Sequence, residues 1–565
     1  MKSINNGKST WPPSNLYLSI DVLLLCDIFE EFRESSLETY ELDPCWFYTL
    51  PGLAWEAAFK YTKEKIELLT DYDMLLFFEE SIRGGFCFAS KRYAKANHAK
   101  LPSYDPNKPH SWIWYIDANN LYGAAMSKPL PHSNYKWMSD EWLQEFEKNG
   151  GELIKTLDDD CDGGLGFLFE VDLEYPKELH DRHNDFPLCP EQICMSETSK
   201  TVSKLISTLH NKKKYIVHHA YLKRALREGL ILKKIHRGIQ FEQRSWLKPY
   251  IELNTKLRKE ATSSFHKDLF KLMNNAVFGK SMENVRNRRL YKLTSDEQVI
   301  SKYMNRYTCI NRTIISDRGN LTLIELENLN VTFNKPLQVG AAILDISKCV
   351  MLDFHYGEML PMIDAIGMGA SCELMYGDTD SLIYHITLPS NLDFYADVVH
   401  PNLDKFDLSD YPNDHFLHSD KNKKALGKFS DETPGRFLGE WVGLRAKLYA
   451  FKLYPSIYGA ETDEVKKAKG VKKYVVTNDM KFEDYLRILR TEGVMSIAQV
   501  TFKSEDMLIH TVEQQKIALS ANDDKRYICS DGVSTLAWGH YKLTEIADSE
   551  IIISELDFRK RLRKF

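Results

Sequence analysis

The hexapeptide Tyr376-Gly377-Asp378-Thr379-Asp380-Ser381 sets two carboxylates one residue apart, between the apolar runs Glu373-Leu374-Met375 and Leu382-Ile383-Tyr384. Two β-prone segments meeting at a Gly-Asp-Thr-Asp corner predict a hairpin with both acids at its solvent-reachable tip. Held together without a counter-charge, the acids would repel and raise each other's pKa. A divalent cation removes that conflict, and Mg²⁺ prefers carboxylate and phosphate oxygen. An ordinary polar turn is the commoner meaning of a bare Asp-x-Asp. A third acid, Asp117, follows the aromatic, β-branched run Trp112-Ile113-Trp114-Tyr115-Ile116, which predicts a buried strand. At a strand end it could hold a metal at the sheet edge, or merely cap the turn Ala118-Asn119-Asn120-Leu121-Tyr122-Gly123.

A further cluster is Lys271-Leu272-Met273-Asn274-Asn275-Ala276-Val277-Phe278-Gly279-Lys280. On a helix Lys271, Asn275, Phe278 and Gly279 share one face, and Lys259 and Lys267 fall on nearly the same side. Stacked lysines beside an amide, a ring and a glycine can grip a triphosphate and let a base pair approach. A solvated basic face explains the lysines but not their neighbours.

The elements that would position these groups follow from periodicity. A first helix is predicted over residues 12–42, opening at Pro12-Pro13-Ser14 with Leu16, Ile20, Leu23, Leu24 and Phe32 as its stripe. A second runs from Asp71 to Arg83-Gly84-Gly85, a glycine stop signal. The acidic, glycine-rich stretch Leu157–Gly166 reads as an exposed loop, and residues 245–290 as basic and helical. After an Asn-rich break at Glu327–Lys335, Gln338–His355 predicts a long amphipathic helix striped by Val339, Ile343, Ile346, Val350 and Phe354. Strands are expected around 374–387 and 445–453.

The chain has 565 residues, 43% hydrophobic and 27% charged, which excludes wholesale disorder. No apolar run is long enough to span a bilayer, and Met1–Gly7 shows no secretory signal. Ten scattered cysteines fit a reducing, intracellular compartment better than a disulfide framework. The net charge of −6 hides a polarised distribution. Between Lys200 and Lys292 there are 23 Lys/Arg against 6 Asp/Glu, an excess of +17 that leaves −23 for the rest. A basic channel beside an acidic site suits a long polyanion, while solvated helix faces are the plainer alternative.

Together these clusters resemble the motifs of the family B DNA polymerases. Asp117-x-x-x-Leu121-Tyr122 is similar to the first palm motif, and Lys271-x-x-x-Asn275-x-x-Phe278-Gly279 to the fingers motif. Tyr376–Ser381 is similar to the palm carboxylate motif, and Lys447-Leu448-Tyr449 to the Lys-x-Tyr primer motif. Their order agrees over roughly residues 80–475. The long gaps Asp117–Lys271 and Lys280–Tyr376, with Ile82-Arg83-Gly84-Gly85-Phe86 like a Tyr-x-Gly-Gly template loop, resemble the protein-primed branch of mobile elements, linear plasmids and phages. Asn120, Gly123, Phe278 and Ile82 depart from the commoner Ser, Pro, Tyr and Tyr; the Asn-Asn-Leu-Tyr-Gly form does not suggest inactivity, and the lost hydroxyl at Phe278 bears only on fine nucleotide selectivity.

The resemblance implies an α+β right hand with palm, fingers, thumb, inserted subdomains and the remnant of an RNase H-like exonuclease domain. It divides the chain into an exonuclease remnant (1–65), palm with template loop (66–130) and a terminal-protein-binding insertion (131–240). Fingers (241–290), a second insertion (291–336), palm (337–455) and thumb (456–565) follow. It implies two Mg²⁺ ions on Asp117, Asp378 and Asp380. Nucleotide contacts fall to Asn120, Leu121, Tyr122, Lys259, Lys267, Lys271, Asn275, Phe278 and Gly279, with Tyr122 excluding a ribose 2′-hydroxyl. DNA contacts fall to Arg83, Gly84, Gly85, Lys447, Tyr449, Lys469 and Lys472. The partners implied are template-primer DNA, dNTPs and a terminal priming protein, with no membrane.

Tyr17 and Asp21 resemble the third exonuclease motif, but no Asp or Glu precedes them. The expectation is therefore a polymerase without proofreading, and its rival is an inactive DNA-binding remnant of a mobile element. Copying of RNA is disfavoured, because reverse transcriptases carry adjacent aspartates instead of Asp-x-Asp. Cys189 and Cys194 with His180 and His183 lack the paired spacing of a zinc site. Arg286, Arg288 and Arg289 suggest phosphate contacts, and Lys466–Lys473 a thumb loop on duplex DNA or a nuclear-targeting patch. An intracellular location is expected, nuclear in a eukaryotic host.

Overall fold

The computed structural model describes residues 13–194, 203–316, 321–455, 462–505 and 508–549. Met1–Gly7 and Pro12, used in the sequence reading, lie outside them. The strand His110–Ala118 is buried along nearly its whole length, as a run without polar alternation requires of a central strand. On one side it pairs antiparallel with Ser381–Leu388, placing Asp117 opposite Ser381. Ser381–Leu388 folds back on Ser371–Asp378, and the short strand Cys87–Ala89 closes that edge with Cys87 opposite Asp378. On the other side Phe429–Asp431 pairs with the strand's C-terminal end, Ser430 opposite Asp117. Arg436–Arg445 touches it further back, and Leu448–Pro455 and Asp463–Ala468 extend the sheet outward.

Beneath this sheet lies the helix Leu337–Phe354. Its expected amphipathic character is a point of difference, because Gln338–Cys349 is buried on every side. The reason is its position: it packs against the helices Leu121–Met126, Tyr72–Ser81, His219–Arg227 and Ser264–Ser281 at once. Residues 245–290 form two helices, Lys248–Glu260 and Ser264–Ser281, broken where the Ser263 hydroxyl caps the second. A buried polar chain locks the pair: Tyr40 Oη donates to Asn254 Oδ1 (2.5 Å), and Asn254 Nδ2 to Asn274 Oδ1 (2.9 Å).

Between Leu130 and Arg244 the chain builds a four-stranded antiparallel sheet of Leu130–Trp137, Ile231–Arg244, Leu165–Glu174 and Lys212–His218. Arg224 ties the acidic loop to the buried helix by pairing with both Asp159 and Asp353. A three-stranded sheet, Arg289–Thr294, Leu321–Glu327 and Cys309–Ser316, carries the helix Glu297–Met304 on Ile324 and Leu326. The helix Phe482–Thr491 and the ribbon of Val494–Glu505 with Leu508–Ser520 follow the sheet's outermost strand, Asp463–Ala468.

The first helix, Pro13–Tyr40, corrects another expectation. The helical stripe of Leu16, Ile20, Leu23 and Leu24 predicts a packed face, but all four are exposed, as are Tyr17 and Asp21. Only its far end packs, through Phe32 and Tyr40. No helix among the described residues is long and apolar enough to cross a membrane.

Candidate active site

Asp117 and Asp380 come together because two adjacent strands end at the same level. Ser381 opposes Asp117 in the ladder, and the Ala118 amide donates to the Asp380 carbonyl at 2.7 Å. The corner between Asp378 and Asp380 is tight: the Asp380 amide donates to the Asp378 carbonyl at 2.7 Å, and Thr379 takes φ 61°. A β-branched residue there is strained. The Thr379 amide is held by the Phe86 carbonyl at 3.1 Å, so Gly84-Gly85-Phe86 braces the corner.

The electrostatics are those of closely set, buried acids. Burial, then Asp380 and Glu432, push the Asp117 carboxyl up to about 8, against a downward pull from Lys271. Burial also raises Asp380, with Asp378 adding to it and Lys271 and Lys447 opposing. A divalent cation would stabilise both ionised acids, so the donor chemistry fits one. The expected triad of ligands, however, is not assembled. Among the described residues no three His, Cys, Asp or Glu side chains converge as a metal site. Asp378 is engaged instead by Lys447, whose Nζ lies 2.8 and 2.9 Å from its two oxygens. The reason is the turn Arg445–Leu448, where Lys447 adopts φ 62° and donates its amide to Tyr376 Oη at 3.0 Å.

Facing the acids, Asn120 takes φ 44° and caps the helix Leu121–Met126, its side chain accepting from the Gly123 amide at 3.2 Å. The Ala118 and Asn119 amides are consumed by the carbonyls of Asp380 and Lys428. Those of Asn120, Leu121 and Tyr122 have no partner among the described residues. The Tyr122 ring stacks on Phe278 with centroids 4.3 Å apart and planes 11° from parallel. Asn275 Oδ1 is buried without a partner, and a Cβ on Gly279 would meet nothing within 4 Å. Lys271 and Lys267 are exposed on that helix. Lys259 lies on the preceding one, across the break at Ala261–Ser263, and does not share their face.

Several expected DNA contacts are turned inward. Arg83 donates to the carbonyls of Ser81 (3.1 Å) and Ile216 (2.7 Å) and lies 3.9 Å over the Tyr215 ring. Gly84 and Gly85 remain exposed. Tyr449 is buried, packed on Tyr376 and Trp441. Arg286 pairs with Glu79, Arg288 with Glu283 and Arg289 with Glu325. Lys469 and Lys472 are exposed, and the Lys469 amide donates to the Lys447 carbonyl at 3.2 Å. In the set-aside zinc candidate Cys189 is buried, Cys194 exposed, and His183 Nδ1 meets Tyr175 Oη at 2.9 Å. Sequence reasoning missed Glu432. Its signal is positional: its amide donates to the Tyr115 carbonyl at 2.9 Å, setting it diagonal to Asp117 on one sheet face.

A buried central sheet, a carboxylate hairpin beside a strand-end aspartate and a basic two-helix unit across from them define a right-hand polymerase. The chain matches the family model for DNA polymerase type B, organellar and viral, over residues 5–356, more than half its length. It belongs to that family and is a DNA-directed DNA polymerase. The hairpin Ser371–Leu388 lies beyond the matched residues, so geometry alone places it. Solved structures of Phi29 DNA polymerase share the fold. Its orthorhombic crystal form aligns with TM-score 0.55 at 14% identity, covering 91% of this chain and 74% of that one. Its complex with single-stranded DNA gives 0.52 and 14%, covering 91% and 73%. The post-translocation binary complex with primer-template DNA gives 0.51 and 15%, covering 91% and 74%. No curated protein is similar enough in sequence to count as a match. Polymerases of this family work with divalent metal ions.

Proposed function

We propose that this polymerase extends a protein-primed end, with Asp117 and Asp380 as the ligands of two Mg²⁺ ions at the growing 3′-hydroxyl. The observation that carries the site is the meeting of Asp117 and Asp380 at the end of one strand pair, with Ser381 opposite Asp117 and the Ala118 amide on the Asp380 carbonyl. When bound, the cations would lower the pKa of the attacking hydroxyl and stabilise charge on the leaving pyrophosphate. The chain's own part is placement. The amides of Asn120, Leu121 and Tyr122 receive the triphosphate, and Lys271, with Lys267 one turn away, neutralises it. Tyr122, held flat against Phe278, fills the space below the sugar. Asn275 turns an unused acceptor toward the nascent pair, which Gly279 leaves room for. Lys447 positions Asp378 near the primer end. Gly84, Gly85, Lys469 and Lys472 offer exposed contacts to the backbone, and base pairing supplies the sequence.

Protein priming is supported by the organellar and viral family and by the two inserted sheets, Leu130–Arg244 and Arg289–Glu327. The domain division stated above, with 131–240 receiving the terminal protein, belongs to the same reading.

The test is extension of an annealed DNA primer with dNTPs and Mg²⁺ by the wild type, Asp117→Asn and Asp380→Ala. Each variant should lose about 10³-fold in rate while binding primer-template within a few-fold of wild type. A variant retaining near-normal extension would remove that acid from the site. For priming, labelled dNTP offered without a DNA primer should become covalently attached to a protein from the same element. Extension of DNA primers alone would leave an ordinary polymerase.

A further inference from the structure

We propose that Asp407 is a positioning residue for nucleotide binding, fixing through Asn119 the loop Asn119–Tyr122 that receives the triphosphate. The proposal rests on the reading of that loop given above. Asp407 touches neither substrate nor reacting atoms, and no motif points to it. The short strand Phe406–Asp407 runs parallel to Phe429–Ser430, and Ser430 opposes Asp117, so Asp407, Ser430 and Asp117 form one row across three strands.

Asp407 is 1% exposed, and four donors fill its carboxylate. Oδ2 accepts from Asn119 Nδ2 at 2.7 Å and from the Lys424 amide at 2.9 Å. Oδ1 accepts from the Ser409 amide at 3.1 Å and its hydroxyl at 2.7 Å. Burial alone would push this carboxyl up, but the bonds from Ser409, Asn119 and Lys424 outweigh it and keep it ionised. Bonds to a buried carboxylate are charge-assisted and about twice as strong as neutral ones. With its acceptors occupied, Asp407 is a support and not a spare metal ligand.

Asn119 is also pinned through its backbone. Its amide donates to the Lys428 carbonyl at 2.8 Å, and its carbonyl accepts from the Gly427 amide at 2.9 Å. The segment 406–428 therefore holds Asn119 at three points. The next residue, Asn120, sits at φ 44°, a left-handed turn that asparagine adopts more readily than most residues but whose direction is set by how Asn119 is held. Releasing the Asn119 side chain lets that residue relax and takes the three free amides out of line.

The experiment measures KM for dNTP and kcat on an annealed primer-template, with primer-template Kd and melting temperature, for the full chain. Asp407→Ala and Asn119→Ala should each raise KM about tenfold, with a smaller change in kcat and Kd within twofold of wild type. The double variant should be no worse than the worse single. Asp407→Asn, which keeps the shape and one acceptor, should recover part of the lost KM. Should Asp407→Ala fail to fold, Asp407→Asn against Asn119→Ala repeats the cycle, where multiplying effects would overturn the proposal. So would a wild-type KM in a variant whose melting temperature falls, the mark of a merely structural role. Asn120→Ala separates the two readings. If it raises KM while the Asp407 variants do not, only the brace fails; if neither it nor the Asp407 and Asn119 variants alter KM, the loop is not the triphosphate cradle and both fail.

Discussion

Gly85→Ala probes how the loop Gly84-Gly85-Phe86 and the carboxylate corner depend on each other. Gly85 does not need glycine's conformational freedom, so its cost is contact alone. A Cβ there would lie 2.5 Å from Thr379 Cγ2, 2.6 Å from Oγ1 and 3.0 Å from Cβ. Thr379 cannot step aside cheaply. It is stiff at χ1, it already sits at φ 61°, and its amide is tied to Phe86 at 3.1 Å. Moving it drags Asp378 and Asp380, its two neighbours. Overpacking of this kind costs about 1–3 kcal/mol. A shift of about 1 Å in the acids should slow extension by up to about 10²-fold. The assay is a double-mutant cycle with Thr379→Gly, read by denaturant unfolding and single-turnover primer extension. Thr379→Gly alone relieves the strained φ and should change stability by about 1 kcal/mol or less, because glycine's extra unfolded-state freedom offsets the relief. The pair should recover most of the stability lost in Gly85→Ala, a coupling of about 1–2 kcal/mol, as contacting residues show. Extension should stay slow in both Thr379 variants, since the corner has lost its lock. Additive stabilities, or a Gly85→Ala protein with normal stability and rate, would refute the reasoning.

Lys447→Met removes the cation held by Asp378 and frees that acid toward Asp117 and Asp380. The Mg²⁺ concentration for half-maximal extension should fall about fivefold while kcat drops, and a rise would contradict the pairing. Tyr122→Ala deletes the ring stacked on Phe278; ribonucleotide incorporation relative to dNTP should rise about 10²-fold in competition assays, and unchanged selectivity would move the sugar gate elsewhere. Acid should unfold the protein through its buried histidines. Burial lowers His98, His218 and His355 to about 3 and His183 to about 4, below the unfolded value of about 6.5. The unfolded chain therefore binds more protons, so stability is complete above that value and is lost as pH falls below it. Each of the four buried histidines therefore withdraws stability as pH falls from 7.5 to 5.5, in the sense that lowers the melting temperature. A melting temperature equal at pH 7.5 and 5.5 would contradict this.

Local chemistry carried much of this protein's identity in its sequence. The corner Tyr376–Ser381, the strand before Asp117 and the face of Lys271, Asn275, Phe278 and Gly279 are set by periodicity and turn residues, which neighbours along the chain decide. The long helix Leu337–Phe354 was legible as a helix for the same reason. Its burial on every side was not, because that depends on what packs around it from distant segments. Likewise the exposed apolar half of Pro13–Tyr40 has a helical pattern but no partner surface among the described residues. Charges show the limit most clearly. Their types and spacing imply a channel and a metal site. Which cation meets which anion is a through-space matter, settled only when strands and turns bring remote residues together. The fold alone turned Arg83 inward to Ile216, gave Lys447 to Asp378, set Glu432 beside Asp117 and placed Asp407 under Asn119. Pairing energies depend on distance and burial, and neither is a property of position along the chain.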